Sequence, residues 1–190
     1  MIILLLVVGG VLLWFFGTYN GLVRLRNQCR EAWSGIDTEL KRRYDLIPNL
    51  VATVKGYAAH ERALLEQVAE ARSRAVASTG SPASQARDEN VLVAAVRQLF
   101  GVVENYPQLK ADQQFLKLQQ ELINTEDRIQ AVRRFYNANV RDLNTRIETI
   151  PSNLVARAFG FQPAEFFEVE DSSLRLPPPV PPPPPAGTTA

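Results

Sequence analysis

The stretch FLKLQQELINTEDRIQAVRRFYNANVRDLNTRIETI, residues 115–150, decides the fold class of this 190-residue chain. Its apolar side chains recur at alternating steps of three and four residues, which places them on one face of a helix. We therefore predict one long amphipathic helix that ends at Pro151. Its stripe consists of Phe115, Leu118, Leu122, Thr125, Ile129, Val132, Tyr136, Val140, Leu143, Ile147 and Ile150.

Three more stripes of the same period precede this one, over residues 22–40, 50–75 and 92–106. No stretch of useful length alternates between apolar and polar residues with a period of two, so we predict no strands. Short connections between amphipathic helices favour antiparallel neighbours. The expected fold is all-α, an antiparallel four-helix bundle with coiled-coil-like packing.

Helix boundaries are predicted from capping and proline chemistry. Asp45 and Pro48 suit the start of the second helix, and Pro107 suits the end of the third. Ser152 is a candidate N-cap for a short last helix that Gly160 ends. A flexible loop is expected over residues 78–82, which read STGSP.

The N-terminal segment is apolar. Residues 1–23 contain no charged side chain, and aromatic residues cluster at positions 14–16 and 19. Nineteen helical residues reach roughly 29 Å, which matches the hydrocarbon thickness of a bilayer, and the aromatic cluster suits the interface. A cleaved signal peptide is the alternative, but no basic n-region and no convincing cleavage site are found.

Charge distribution predicts the orientation of this anchor. No basic side chain precedes the span, whereas Arg24, Arg26 and Arg30 follow it. The positive-inside rule then places the N-terminus outside and the bundle in the cytoplasm, on a bacterial inner membrane. The predicted domains are an anchor (1–20), a helical bundle (21–168) and a disordered proline-rich tail (169–190) with eight prolines in residues 177–185.

Composition argues against most catalytic chemistry. The formal net charge is +1, so no nucleic-acid partner is expected. One histidine, His60, cannot supply the two histidine ligands of a di-metal bundle site. The single cysteine, Cys29, lies on an apolar stripe and is interpreted as a core residue. We predict no catalytic residue, cofactor or metal.

Polar interruptions of the stripes give the candidate sites. Glu61 and Thr125 occupy otherwise apolar positions at similar distances from the distal turn of the predicted bundle. Arg128 lies one helical turn beyond Thr125. A charged side chain between packed helices needs a partner of opposite charge. These three residues therefore form a candidate polar layer. Solvent exposure of Glu61 is the alternative. The basic clusters at 41–43 and 133–134 are solvated faces or a docking surface for an acidic partner; they contain Lys41, Arg42, Arg43, Arg133 and Arg134.

An aromatic segment follows the long fourth helix. It contains Phe159, Phe161, Phe166 and Phe167, at the end of the bundle that faces the membrane. The segment is expected to cap the core, and contact with the lipid interface is the alternative.

Eight blocks of the chain match a known family in the same order. They are YNGLV (19–23), EAWSGID (31–37), LKRRYDLIPNLV (40–51), VKGYAAHE (54–61), ENYPQLK (104–110), TEDRI (125–129), RRFYN (133–137) and PSNL (151–154). On these blocks the sequence resembles the LemA family from Asn20 to Glu168. This resemblance implies a membrane-associated protein with an N-terminal anchor and a helical body, and it implies no enzyme activity.

The functional hypothesis is a non-catalytic, membrane-anchored scaffold or adaptor with unidentified protein partners and a capacity to self-associate. A ligand sensor or enzyme with a pocket around Glu61 is the alternative from another class, and membrane shaping is a third. A scaffold should have a filled core, whereas a sensor should have a cavity lined by convergent polar groups.

Overall fold

The structure, a computed structural model, describes residues 1–169, and within that range it contains helices and no strand. The all-α prediction is therefore confirmed. The helices are α1 (Ile2–Tyr57), α2 (Arg62–Ala77), α3 (Pro82–Val103), α4 (Pro107–Lys110), α5 (Gln113–Glu148) and α6 (Ser152–Ala158).

Helix α1 runs through Pro48 without a break, so the prediction that a second helix starts there is wrong. Proline within a helix leaves the carbonyl four residues earlier without its usual donor. That carbonyl belongs to Tyr44, and it accepts a hydrogen bond of 2.6 Å from Nε of Arg72 on α2. The helix therefore continues to Tyr57, and the next helix begins at Arg62 after a short turn.

The first part of α1 is long and apolar enough to cross a membrane. Its most apolar 18-residue window has a mean hydropathy of 2.3, and almost none of that window is buried against the rest of the chain. Side chains from Ile2 to Leu13 are largely exposed, in contrast to Leu22, which is fully buried. Packing against the bundle thus begins just beyond the apolar run.

The distal core lies at the end of the bundle away from this apolar segment. There α2 and α3 form a hairpin against the last turns of α1 and the first turns of α5. Ser81 caps α3 by accepting a hydrogen bond from the Ser84 amide, with Pro82 in the first turn. Helix α3 ends at Val103, and Pro107 begins α4 instead of ending the third helix.

The proximal core is formed by residues 22–40 of α1, the second half of α5, and α6. The prediction that Ser152 caps α6 is wrong, and its hydroxyl donates instead to the carbonyls of Arg146 and Thr149. Gly160 ends α6 with a φ of +66°, a conformation that favours glycine. The amide of Phe161 donates to the Ala156 carbonyl, which completes the helix cap.

Residues 162–169 return along α5 in an extended conformation. Asn144 both donates to and accepts from the backbone of Ala164 (2.9 and 2.8 Å). Asn137 forms the same pair of bonds with Phe167 (3.0 and 2.9 Å). Asn137 and Asn144 lie about two turns apart on the same face of α5. Together they therefore hold this segment over the proximal core.

The aromatic residues of this region divide between buried and exposed positions. Phe161 and Phe167 are buried in the proximal core, whereas Phe159 and Phe166 are exposed. Val169, assigned to the tail by sequence, is also buried. The predicted proline-rich tail otherwise lies outside the described residues.

Candidate functional site

The most buried charged groups lie where the two cores meet. Ile36, Leu40, Arg43, Ile47 and Leu50 follow one another on α1 at steps of four, three, four and three residues. Arg43 therefore continues the apolar stripe into the bundle, and only 4% of its surface is exposed. A charge in this position is retained only where partners replace the lost water.

Two carboxylates from two other helices supply those partners. Nη1 of Arg43 lies 2.7 Å from Oε2 of Glu89 on α3. Nη2 of the same guanidinium lies 2.6 Å from Oε2 of Glu126 on α5. Each contact is a short charge-assisted hydrogen bond, and together they join α1, α3 and α5 through one side chain.

Tyr44 adds a fourth member to this group. Its hydroxyl donates a short hydrogen bond to the second carboxylate oxygen of Glu89. Burial, followed by the charge of Glu89, raises the pKa of Tyr44 far above its ordinary value. The phenol consequently remains a proton donor, and Glu89 has polar contacts on both of its oxygens. We call Arg43, Tyr44, Glu89 and Glu126 the arginine cluster.

The arginine cluster contains one cation and two carboxyl groups. Burial raises the pKa of Glu89 above its ordinary value; Arg43 and Tyr44 oppose this effect, and the nearby charge of Glu126 adds to it. Burial therefore disfavours the ionised form of Glu89. The guanidinium lies between the two carboxylates.

The space beside the cluster is nearly filled. Its cavity measures about 10 Å³, which is at the lower limit for one water molecule and far below the several hundred Å³ of a small-molecule pocket. Within residues 1–169, no group of three or more metal-ligating side chains is present. The lining residues are Arg43, Leu92, Val93, Val96, Leu122 and Glu126.

The three residues predicted to form a polar layer are not brought together. Glu61 lies in the turn before α2, half-buried, and accepts a hydrogen bond of 3.2 Å from the Tyr106 hydroxyl. Thr125 is buried, but its hydroxyl donates to the Glu121 carbonyl of its own helix. Arg128 is exposed, with Glu39 at 3.7 Å. A polar layer exists, but other residues form it.

The predicted docking surface is also altered. Arg43 is buried in the arginine cluster and cannot contribute to any surface, which corrects its assignment to a basic face. Arg133 is half-buried and donates to the carbonyl of Val169. Lys41, Arg42 and Arg134 are exposed, and they remain the accessible part of the predicted surface.

Cys29 occupies the core position predicted for it. The side chain is buried in the proximal core, and burial raises the pKa of its thiol above the ordinary value. A buried thiol with a raised pKa is a poor nucleophile. His60, in contrast, lies exposed in the turn between α1 and α2.

The signal for the arginine cluster was present in the sequence. Arg43 keeps the register of the α1 stripe, Glu89 lies three residues after Ala86 and before Leu92, and Glu126 lies between Leu122 and Ile129. A helix that starts at Pro48 would end the first stripe at Leu40, so Arg43 is not part of the predicted core.

The fold and the site together define the class of this protein. It has an apolar N-terminal helix followed by an all-helical bundle, in which a buried arginine contacts carboxylates of two other helices. A family model described as the LemA family matches residues 32–181. The chain belongs to the LemA family. The match extends past Glu168, where the resemblance was expected to end.

Named relatives are similar at low identity. Magnetosome protein MamQ 2 of Paramagnetospirillum magneticum is 26% identical over 175 residues, covering 79% of this chain and 64% of the relative. Magnetosome protein MamQ of Magnetospirillum gryphiswaldense is 24% identical over 174 residues, covering 78% and 64%. Protein LemA of Metamycoplasma hominis is 26% identical over 157 residues, covering 83% and 72%. The chain thus spans less than two thirds of the MamQ proteins.

Proposed function

We propose that this chain is a non-catalytic scaffold, anchored in the membrane by residues 1–20, whose helical bundle docks other proteins. The observation that carries the proposal is the closed state of the arginine cluster. Its charged groups contact one another across three helices around a cavity of about 10 Å³. Such an arrangement fixes helix positions and leaves the outer faces of the bundle for contact with partners.

The proposed anchor is the apolar part of α1, whose side chains are exposed and so available to lipid. Arg24, Arg26 and Arg30 follow it directly, which supports an outside N-terminus and a cytoplasmic bundle at the inner membrane. A reporter fused after Ala190 that is active only in the cytoplasm tests this orientation. Activity of a periplasm-only reporter at the same site would reverse it.

The proposed docking surface contains the exposed cations Lys41, Arg42 and Arg134. Charge reversal at an interface rim changes association much more than it changes folding. We expect a variant with all three residues replaced by Glu to lose the proteins that co-purify with the full chain in mild detergent. The matched control reverses exposed Arg97 and Lys117 on other helix faces. Equal recovery with both variants would remove the basic surface from the proposal.

A further inference from the structure

The α5–α6 corner carries an apolar patch beside the anchor. In the described chain beyond Phe16, the two most exposed large apolar side chains are Ile150 (78%) and Leu154 (64%), and Phe159 is 51% exposed. Ile150 lies two residues beyond the end of α5, and Leu154 lies on α6. The three side chains lie within ten residues of one another in the sequence, and contiguous exposed apolar surface often marks an interaction site.

Contacts with α1 fix the height of this corner. The Phe159 ring lies 4.7 Å from the Tyr19 ring and 5.7 Å from the Phe15 ring, measured between centroids. Trp14 and Thr18 of α1 also line an open cleft of about 460 Å³ together with Thr149, Ile150 and Pro151. The corner therefore lies beside residues 14–19 of α1.

The same residues mark the edge of the hydrocarbon. The apolar run ends at Phe16, and the first charged side chain is Arg24, so the boundary of a bilayer crossed by α1 falls between them. An element beside residues 14–19 lies at that boundary or slightly within it. Ile150, Leu154 and Phe159 are then exposed to lipid, and exposed Arg157 on the same short helix can reach the headgroup phosphates.

We propose that the α5–α6 corner is a second membrane contact, which inserts Ile150, Leu154 and Phe159 into the bilayer interface beside the anchor. This inference rests on the proposed anchor. The occupant is lipid because the patch is continuous with the face of α1 that the bilayer would cover. Two points of attachment, one spanning and one interfacial, fix the tilt of the bundle relative to the membrane, as a single helix cannot do.

Site-specific quenching tests this proposal on the full chain. In a Cys29→Ala background, three variants are made that each carry one new cysteine: Leu154→Cys, Phe135→Cys and Leu6→Cys. Each cysteine is labelled with an environment-sensitive fluorophore. Phe135 is the matched control, an exposed apolar side chain (61%) on α5 far from the corner. Each protein is reconstituted into phosphatidylcholine–phosphatidylglycerol vesicles with and without a nitroxide-labelled lipid.

We expect several-fold quenching by the nitroxide lipid at Leu6 and Leu154 and little change at Phe135. Quenching at Leu6 without quenching at Leu154 overturns the second contact and leaves the anchor in place. Equal quenching at Leu154 and Phe135 also overturns it, because the whole bundle would then lie against the lipid. Absence of quenching at Leu6 refutes the anchor, and the second contact with it.

Discussion

The guanidinium of Arg43 on α1 lies 2.6 Å from the carboxylate of Glu126 on α5, between two hydrophobic cores. The same guanidinium contacts Glu89 on α3 at 2.7 Å. One residue thus sets the relative heights of three helices, because sliding any of them by one turn would separate buried opposite charges.

Truncation of Arg43 should therefore be strongly destabilising. Arg43→Ala leaves two buried carboxylates without their cation, and we expect it to lower the free energy of unfolding by about 3–5 kcal/mol. Chemical denaturation of the detergent-solubilised full chain measures this loss. Arg42→Ala, at the adjacent exposed position, is the matched control and should change stability by less than about 0.5 kcal/mol. Similar losses in the two variants would show that Arg43 is not held by its buried contacts.

Apolar replacement of all three charges should restore much of that stability. Packed hydrophobic side chains often match a buried ion group, so the triple variant Arg43→Leu, Glu89→Leu, Glu126→Leu should unfold at a higher denaturant concentration than Arg43→Ala. The singly substituted Arg43→Leu protein is the comparison that isolates the stranded carboxylates. A triple variant no more stable than Arg43→Leu would mean that the two carboxylates cost nothing when Arg43 is absent.

Protonation of Glu89 should be visible in the pH dependence of stability. Its pKa is raised in the folded protein above the ordinary 4.5, chiefly by burial. The folded state therefore binds more protons than the unfolded state above that pH, and the stabilisation present below 4.5 is lost as pH rises through the folded pKa.

Glu89→Gln removes this titration. We expect the variant to gain stability relative to the unmodified chain as pH rises above 4.5. Denaturation series at several pH values provide the measurement, and Glu66→Gln on the exposed face of α2 is the control that should show no such trend. Parallel curves for Glu89→Gln and the unmodified chain would contradict the assigned direction.

The periodicity of the sequence predicts most of this fold. The apolar stripe from Phe115 to Ile150 agrees with α5 to within two residues at each end, and the predicted core positions of Cys29 and Tyr136 are confirmed. Periodicity cannot decide whether the helix breaks at Pro48. The helix continues because the Tyr44 carbonyl accepts a hydrogen bond from Arg72, which is 28 residues away in the sequence. Local rules that read proline as a helix start contain no information about such a tertiary partner.

The candidate site was less predictable for a related reason. Glu61 and Thr125 interrupt apolar stripes, yet Glu61 lies in a turn and Thr125 bonds to its own helix. Which interruption becomes a buried pair depends on the relative rotation of helices, and the sequence specifies that rotation only through the complete packing. The asparagine contacts that hold residues 162–169 along α5 were missed for the same reason.

The proximal core depends on one aromatic group. Trp33 on α1 packs edge-on against Tyr136 (5.2 Å between ring centroids) and Phe167 (5.3 Å). Trp33 is partly exposed, so Trp33→Ala should cost about 3 kcal/mol, at the low end for a core aromatic. Thermal unfolding followed by circular dichroism tests this, with Trp14→Ala in the apolar segment as the control. An unchanged melting temperature for Trp33→Ala would show that the extended segment is held without the aromatic contacts.

The proposed anchor makes the apolar part of α1 an integral membrane span. Alkaline extraction of isolated membranes tests this span most directly, because high pH removes peripheral proteins and leaves spanning helices in place. We predict that the full chain stays in the membrane pellet, whereas the chain without residues 1–20 is released to the supernatant. Release of the full chain together with the truncated one would contradict the proposed anchor.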